Sequence, residues 1–158
     1  MITDQYFAGL FDGEGCISRQ VDRRGFGMQP IAMLSMIDVG LPLLMEINVR
    51  YGGILRVHKR AIKIQPASVI SWRSQESLRS MLSVIEPYLV LKREQAKLTL
   101  WWVRNIPLRE ERWGISKAKD IFSADLKAMK GNMLLSAEDS IARIEACFTS
   151  STTLRAVS

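Results

Sequence analysis

The stretch FAGLFDGEG, Phe7 to Gly15, decides how the rest of the chain is read. Thr3 or Asp4 can cap a short helix whose apolar residues are Tyr6, Phe7, Leu10 and Phe11. Gly13 and Gly15 end it, and Asp12 and Glu14 alternate with them. Two acids therefore fall where the helix dipole is negative and main-chain carbonyls lack partners. A carboxylate is disfavoured there unless a cation accompanies it. A carboxylate and an unpaired carbonyl are hard oxygen donors that suit Mg²⁺, so the helix end reads as a divalent-ion site. Gly9 and Gly13 lie four residues apart on one face, flanked by Gln5 and Asp12. Each costs about 0.5–1 kcal/mol relative to Ala within a helix, so the pair predicts a close approach by a second helix.

Downstream, the periodicity changes from helical to alternating. In CISRQVDRR, Ile17, Arg19, Val21 and Arg23 fall on one side, and Ser18, Gln20, Asp22 and Arg24 on the other. Residues 24–27 read as a turn, and MQPIAMLSMI as the returning strand, with Pro30 marking a bend or an edge. VGLPLLMEINVRYGG reads as a helix entered near Pro42 and stopped by Gly52 and Gly53. ILRVHKR and VISWRS are two further strands, followed by an amphipathic helix over Gln75–Tyr88. More helices are expected over Glu94–Val103, Ser116–Met129 and Ser136–Ala146. The order αββαββα plus extra helices predicts an α+β fold: a four-stranded antiparallel sheet with helices on one face. One domain is expected over residues 1–146, with residues 147–158 a disordered tail.

The uncovered face of that sheet carries Ser18, Gln20, Asp22, Arg24, Gln29, Ser35, Arg56, His58, Arg60, Ser71 and Arg73. Such side chains hydrogen-bond base edges and phosphates. The 158 residues carry a net charge of +6, and between Ile47 and Gln75 there is no Asp or Glu. That distribution favours a polyanionic partner, nucleic acid first. The face lacks paired aromatic platforms, which argues for duplex over single-stranded nucleic acid. DNA phosphate could then complete the shell of a metal at the helix end, with water as nucleophile. Cys16 and Cys147 read as two inert thiols, and with the single His58 they make a poor zinc set. No apolar run is long enough to span a membrane and no signal layout is visible, so an intracellular setting is expected, organellar or bacterial.

With these features in place, FAGLFDGEG resembles the nine-residue signature of the LAGLIDADG homing endonucleases. The resemblance extends to the αββαββα core, to IEPYLVLKREQAKL, and more loosely to ISKAKDIFSADLKAMKG and SAEDSIARI. It covers roughly residues 3–146 and is closest to the single-motif, homodimeric subfamily. It implies that Glu14 is the metal-binding acid, at a position where many members carry Asp, and that Gly13 lends its carbonyl to the metal. It implies that Asp12 supports the helix end and the interface. Asp38, where related homodimers carry Gln, would order water near the metal, and Lys92 would stabilise charge at the scissile phosphate. The cofactor implied is Mg²⁺ or another divalent ion such as Mn²⁺, with no small-molecule cofactor.

The signature occurs once, whereas a duplex has two strands to cut. Two copies packed through Gln5, Ala8, Gly9, Asp12 and Gly13 about a two-fold axis would bring two Glu14 side chains together, so the target would be pseudo-palindromic. Two such saddles would cover about 60 Å, or roughly 18 base pairs. The expectation is a sequence-specific endonuclease making double-strand breaks, by the resemblance with 3′ overhangs and 5′-phosphates. The alternatives are an RNA-splicing maturase or a DNA-binding regulator on the same fold.

Overall fold

The structure, a computed structural model, describes residues 1–21, 28–58, 67–106, 115–130 and 135–155. Asp22, Arg24 and Arg60 lie outside the described residues, and so do the side chains of Asp38 and His58. Six helices and four strands follow the predicted order: α1 (Asp4–Glu14), β1 (Gly15–Val21), β2 (Met28–Ile37), α2 (Leu41–Tyr51), β3 (Ile54–His58), β4 (Ala67–Trp72), α3 (Gln75–Ile85), α4 (Arg93–Asn105), α5 (Ile115–Lys130) and α6 (Ala137–Arg155). Short 3₁₀ turns at Asp38–Gly40 and Glu86–Tyr88 lead into α2 and out of α3. The second turn ends α3 three residues earlier than the apolar spacing predicts. Pro87 explains this, because it cannot donate to the helix ladder. In the other direction, α6 continues past Ala146 into the segment read as a tail.

All four strands form one antiparallel sheet in the order β1-β2-β4-β3, so β1 and β3 are its edges. The register pairs Ile17 with Ala32, Ala32 with Trp72, and Leu34 with Ile70. These five apolar side chains from β1, β2 and β4 therefore share the face on which the helices pack. Phe7 and Phe11 of α1 lie fully buried against that face. Phe7 stacks on Tyr51 with ring centroids 4.4 Å apart and meets Trp72 at 5.9 Å. The indole N–H of Trp72 donates to the Tyr51 carbonyl at 3.0 Å, joining the end of α2 to the sheet. At Gly53 the backbone has φ of +111°, and a Cβ there would come within 2.9 Å of Ile70, so this turn requires glycine.

A second cluster builds the C-terminal half, where Trp102 of α4 packs on Phe122 of α5 at 4.5 Å. Of the Trp101–Trp102 pair, Trp102 is buried and Trp101 half-buried. Glu94 ties this half together by accepting the Ala137 amide at the start of α6 and the Lys97 ammonium at 3.0 Å. Burial pushes its carboxyl pKa up, but the Ala137 amide and Lys97 outweigh that and hold it below its ordinary 4.5. A carboxyl depressed on folding contributes stability that is present above its unfolded pKa and lost as pH falls through the folded one. Urea unfolding from about pH 6 to about pH 3 should show the stability gap between wild type and Glu94→Ala narrowing below about pH 4.5.

Candidate active site

The site is built where α1 stops. Its buried residues are Phe7, Ala8, Phe11 and Asp12, a helical stripe that carries Asp12 into the protomer. Gln5, Gly9, Gly13 and Glu14 fall off the stripe and are exposed. Asp12 is only 8% exposed. Its Oδ2 accepts the amides of Val90 at 2.6 Å and Leu91 at 3.2 Å, and its Oδ1 accepts that of Lys92 at 2.9 Å. These amides lie just ahead of α4, whose N-cap, Lys92, makes no side-chain cap bond. Asp12 thus caps a helix from about 80 residues away in sequence. The Lys92 ammonium in turn donates to the main-chain oxygen of Asp12. An acid stands at the start of α4 and a cation at the end of α1, the sign that each dipole favours.

Glu14 lies two residues beyond this lock with its carboxylate exposed. Asp38 opens the turn after β2, at the same end of the β1–β2 pair as Glu14. Among the described residues, no three His, Cys, Asp or Glu side chains cluster closely enough to hold a metal. Three amides already engage Asp12, so one chain offers a divalent ion the Glu14 carboxylate and backbone carbonyls. That sparse set fits Mg²⁺, which keeps several waters and takes phosphate oxygens as ligands.

The polar strand residues fall on one face as their spacing requires. Gln20 pairs with Gln29, Ser35 with Val69, and Val69 with Arg56, so all five share the face opposite the core. Ser18 and Ser71 lie on it too, and His58 holds the register position opposite Ala67. The same face also carries Ile31, Met33, Ile37, Ile54 and Val69, so it is more apolar than the polar residues alone indicate. Ser71 is buried, donates to the Ile54 carbonyl at 3.5 Å and accepts from Arg73 Nε at 3.3 Å. Its hydroxyl orients Arg73.

The five residues read as an interface divide. Ala8 is wholly buried and Asp12 serves the lock, so Gln5, Gly9 and Gly13 are the ones open to another chain. A Cβ at Gly9 or Gly13 would meet nothing within 4 Å, so nothing among the described residues of the protomer requires glycine there. Beside the lock, Val90 and Leu91 spend their amides on Asp12 and leave their side chains 81% and 73% exposed. The role of Asp12 could not be read from its neighbours in the chain, because its partners lie 78 to 80 positions away.

Asp12→Ala leaves those three amides without their acceptor. It should cost about 2–4 kcal/mol in urea unfolding, whereas Asp12→Asn, which keeps one acceptor oxygen, should lose less.

No protein-family model and no curated protein matches the chain. Solved structures do. The homing endonuclease I-CvuI, in complex with its target in the presence of 2 mM Ca, superposes with a TM-score of 0.67 at 22% identity, covering 91% of this chain and 93% of that one. The archaeal intron-encoded homing endonuclease I-Vdi141I, complexed with DNA, gives 0.62 at 15% identity, covering 91% and 95%. The LAGLIDADG meganuclease I-AabMI, bound to uncleaved DNA, gives 0.61 at 22% identity, covering 89% of this chain but 48% of that one. The chain has the fold of the LAGLIDADG homing endonucleases.

Proposed function

We propose that the protein is a homodimeric, divalent-metal-dependent endonuclease that cuts duplex DNA at a long pseudo-palindromic site. The observation that carries this reading is the exposed Glu14 carboxylate, held at the end of α1 by the Asp12–Lys92 lock and leading into the strand β1 of the open sheet face. The neighbours with this fold, several of them bound to DNA, support it. Glu14 and the Gly13 carbonyl would hold the metal. When bound, the ion polarises the scissile phosphate and acidifies a water. Water adds to phosphorus and the bond to the 3′ oxygen breaks, leaving a 3′-hydroxyl and a 5′-phosphate. Lys92 adds positive charge beside the reacting phosphate, and Asp38 would order water there. Gln20, Gln29, Ser35, Arg56 and Arg73 would contact bases and phosphates, with β2 spanning about 33 Å of groove over its ten residues.

One acid per chain serves one strand, so two chains are needed. Gly9 and Gly13 face open space in the protomer, which leaves a second copy of α1 as the helix they admit. Val90 and Leu91, exposed beside the end of α1, would extend that surface. The match to half of the longer I-AabMI chain is in keeping with a site built from two such units.

Two measurements test the proposal. A plasmid carrying the intronless form of the host insertion sequence should be linearised with Mg²⁺, and Glu14→Gln should slow this by on the order of 100-fold or more while DNA binding persists. Wild type that binds without cutting would sink the nuclease reading. Gly9→Leu should leave the far-UV CD spectrum and protomer fold intact but shift the sizing-column peak from dimer to monomer. A wild-type peak at monomer mass in the absence of DNA would refute the dimer.

A further inference from the structure

A cavity of about 150 Å³ lies between the β1 edge and α5, lined by Ser18, Arg19, Ser123, Leu126, Lys127 and Lys130. One water needs only ~10–15 Å³, so there is ample room for a tetrahedral anion. The four α5 residues recur at helical spacing, so one face of that helix forms one wall. Ser18 and Arg19 belong to opposite faces of the sheet, so a space lined by both lies at the edge of β1, which among the described residues has no neighbouring strand on that side. Three cations and two hydroxyls meet there. Among the described residues no carboxylate pairs with Arg19, Lys127 or Lys130; the buried acid of α5, Asp125, is paired with Arg143.

Lys127 and Lys130 in the last turn of α5 complement its dipole and so have a structural reason to be there. Arg19 has none. It arrives from a strand more than 100 positions away and adds a third positive charge to the same space, an arrangement that an anion relieves. The position of the cavity identifies the anion. Lys130 Nζ approaches Cys16 Sγ to 3.3 Å, and Cys16 is two residues from Glu14, so the end of α5 stands beside the candidate active site.

We propose that this cavity binds a backbone phosphate of the duplex close to the scissile one, with Arg19, Lys127 and Lys130 supplying charge and Ser18 and Ser123 hydroxyl donors. The proposal rests on the reading of the protein as a duplex-DNA-binding enzyme. It assigns Arg19 and two α5 lysines to a surface otherwise confined to the open sheet face, and makes them positioning residues for DNA.

The test is fluorescence anisotropy of a labelled duplex of arbitrary sequence, titrated with KCl. Each phosphate neutralised contributes about 0.9 to the slope of log K against log salt. Arg19→Gln and Lys127→Gln should each flatten that slope by up to about 0.9 per cavity, and Lys127→Arg should restore it. Lys117→Gln, which removes an exposed charge of α5 that does not line the cavity, should keep the wild-type slope. Unchanged CD melting would show that the variants fold. If wild type binds duplex with a steep slope that Arg19→Gln and Lys127→Gln leave intact, the cavity assignment is overturned and the DNA reading stands. If wild type shows no salt-dependent duplex binding, both are overturned. Stabilisation by inorganic phosphate alone, with the DNA slope unchanged in the variants, would mark a site for free anions and overturn the DNA assignment.

Discussion

The candidate site depends on the reciprocal lock between Asp12 and Lys92. The carboxylate of Asp12 takes three amides ahead of α4, and the ammonium of Lys92 takes the main-chain oxygen of Asp12. Each group serves the other's helix end, where main-chain donors and acceptors would otherwise lack these partners. The consequence for function is positional. Phe7 and Phe11 fix α1 on the sheet, and the lock fixes its last turn against α4. Glu14 is then constrained from both sides although its own carboxylate touches solvent. The carboxylate proposed to hold a metal would benefit from a rigid base, and that rigidity comes from the acid two residues before it.

That division of labour explains why two acids lie so close together. They look alike in sequence, but the helical period turns Asp12 inward, on the same stripe as Ala8 and Phe11, and leaves Glu14 outside. Asp12 is buried with both of its oxygens turned to the amides ahead of α4, whereas Glu14 presents its carboxylate to solvent. The glycines follow similar logic. Gly13 brings the backbone to the surface between the two acids, and with Gly9 it leaves the outer side of α1 bare, where a Cβ would meet nothing within 4 Å among the described residues.

Much of the fold could be read from local pattern. The glycine-terminated helix, the alternation in CISRQV and ISW, and the stop at Gly52–Gly53 each rest on interactions within a few residues, and each appears where expected. The sites at which the sequence misled were decided over long distances. Ala8 belongs to a signature of small residues, yet what makes it small is the core beneath it. Ser71 alternates correctly onto the open face, but Arg73 and the Ile54 carbonyl engage its hydroxyl. Arg19 falls on the core side by alternation, and only the edge position of β1 lets it reach a cavity beside α5. A period-2 pattern assigns a face; it does not say whether a neighbour covers it.

The mixed character of the open face bears on how a duplex would be read. Gln20, Gln29, Ser35 and Arg56 are interspersed with Ile31, Met33, Ile54 and Val69. Polar side chains there can pair with base edges, while apolar ones can meet only thymine methyl groups or exclude water. A sheet of this composition makes few hydrogen bonds per base pair, so discrimination has to accumulate over a long site or come from DNA shape. Both conditions suit a two-fold assembly, which doubles the length read without new recognition residues. The symmetry that would place two Glu14 carboxylates on two strands would therefore also supply the specificity that one sheet lacks.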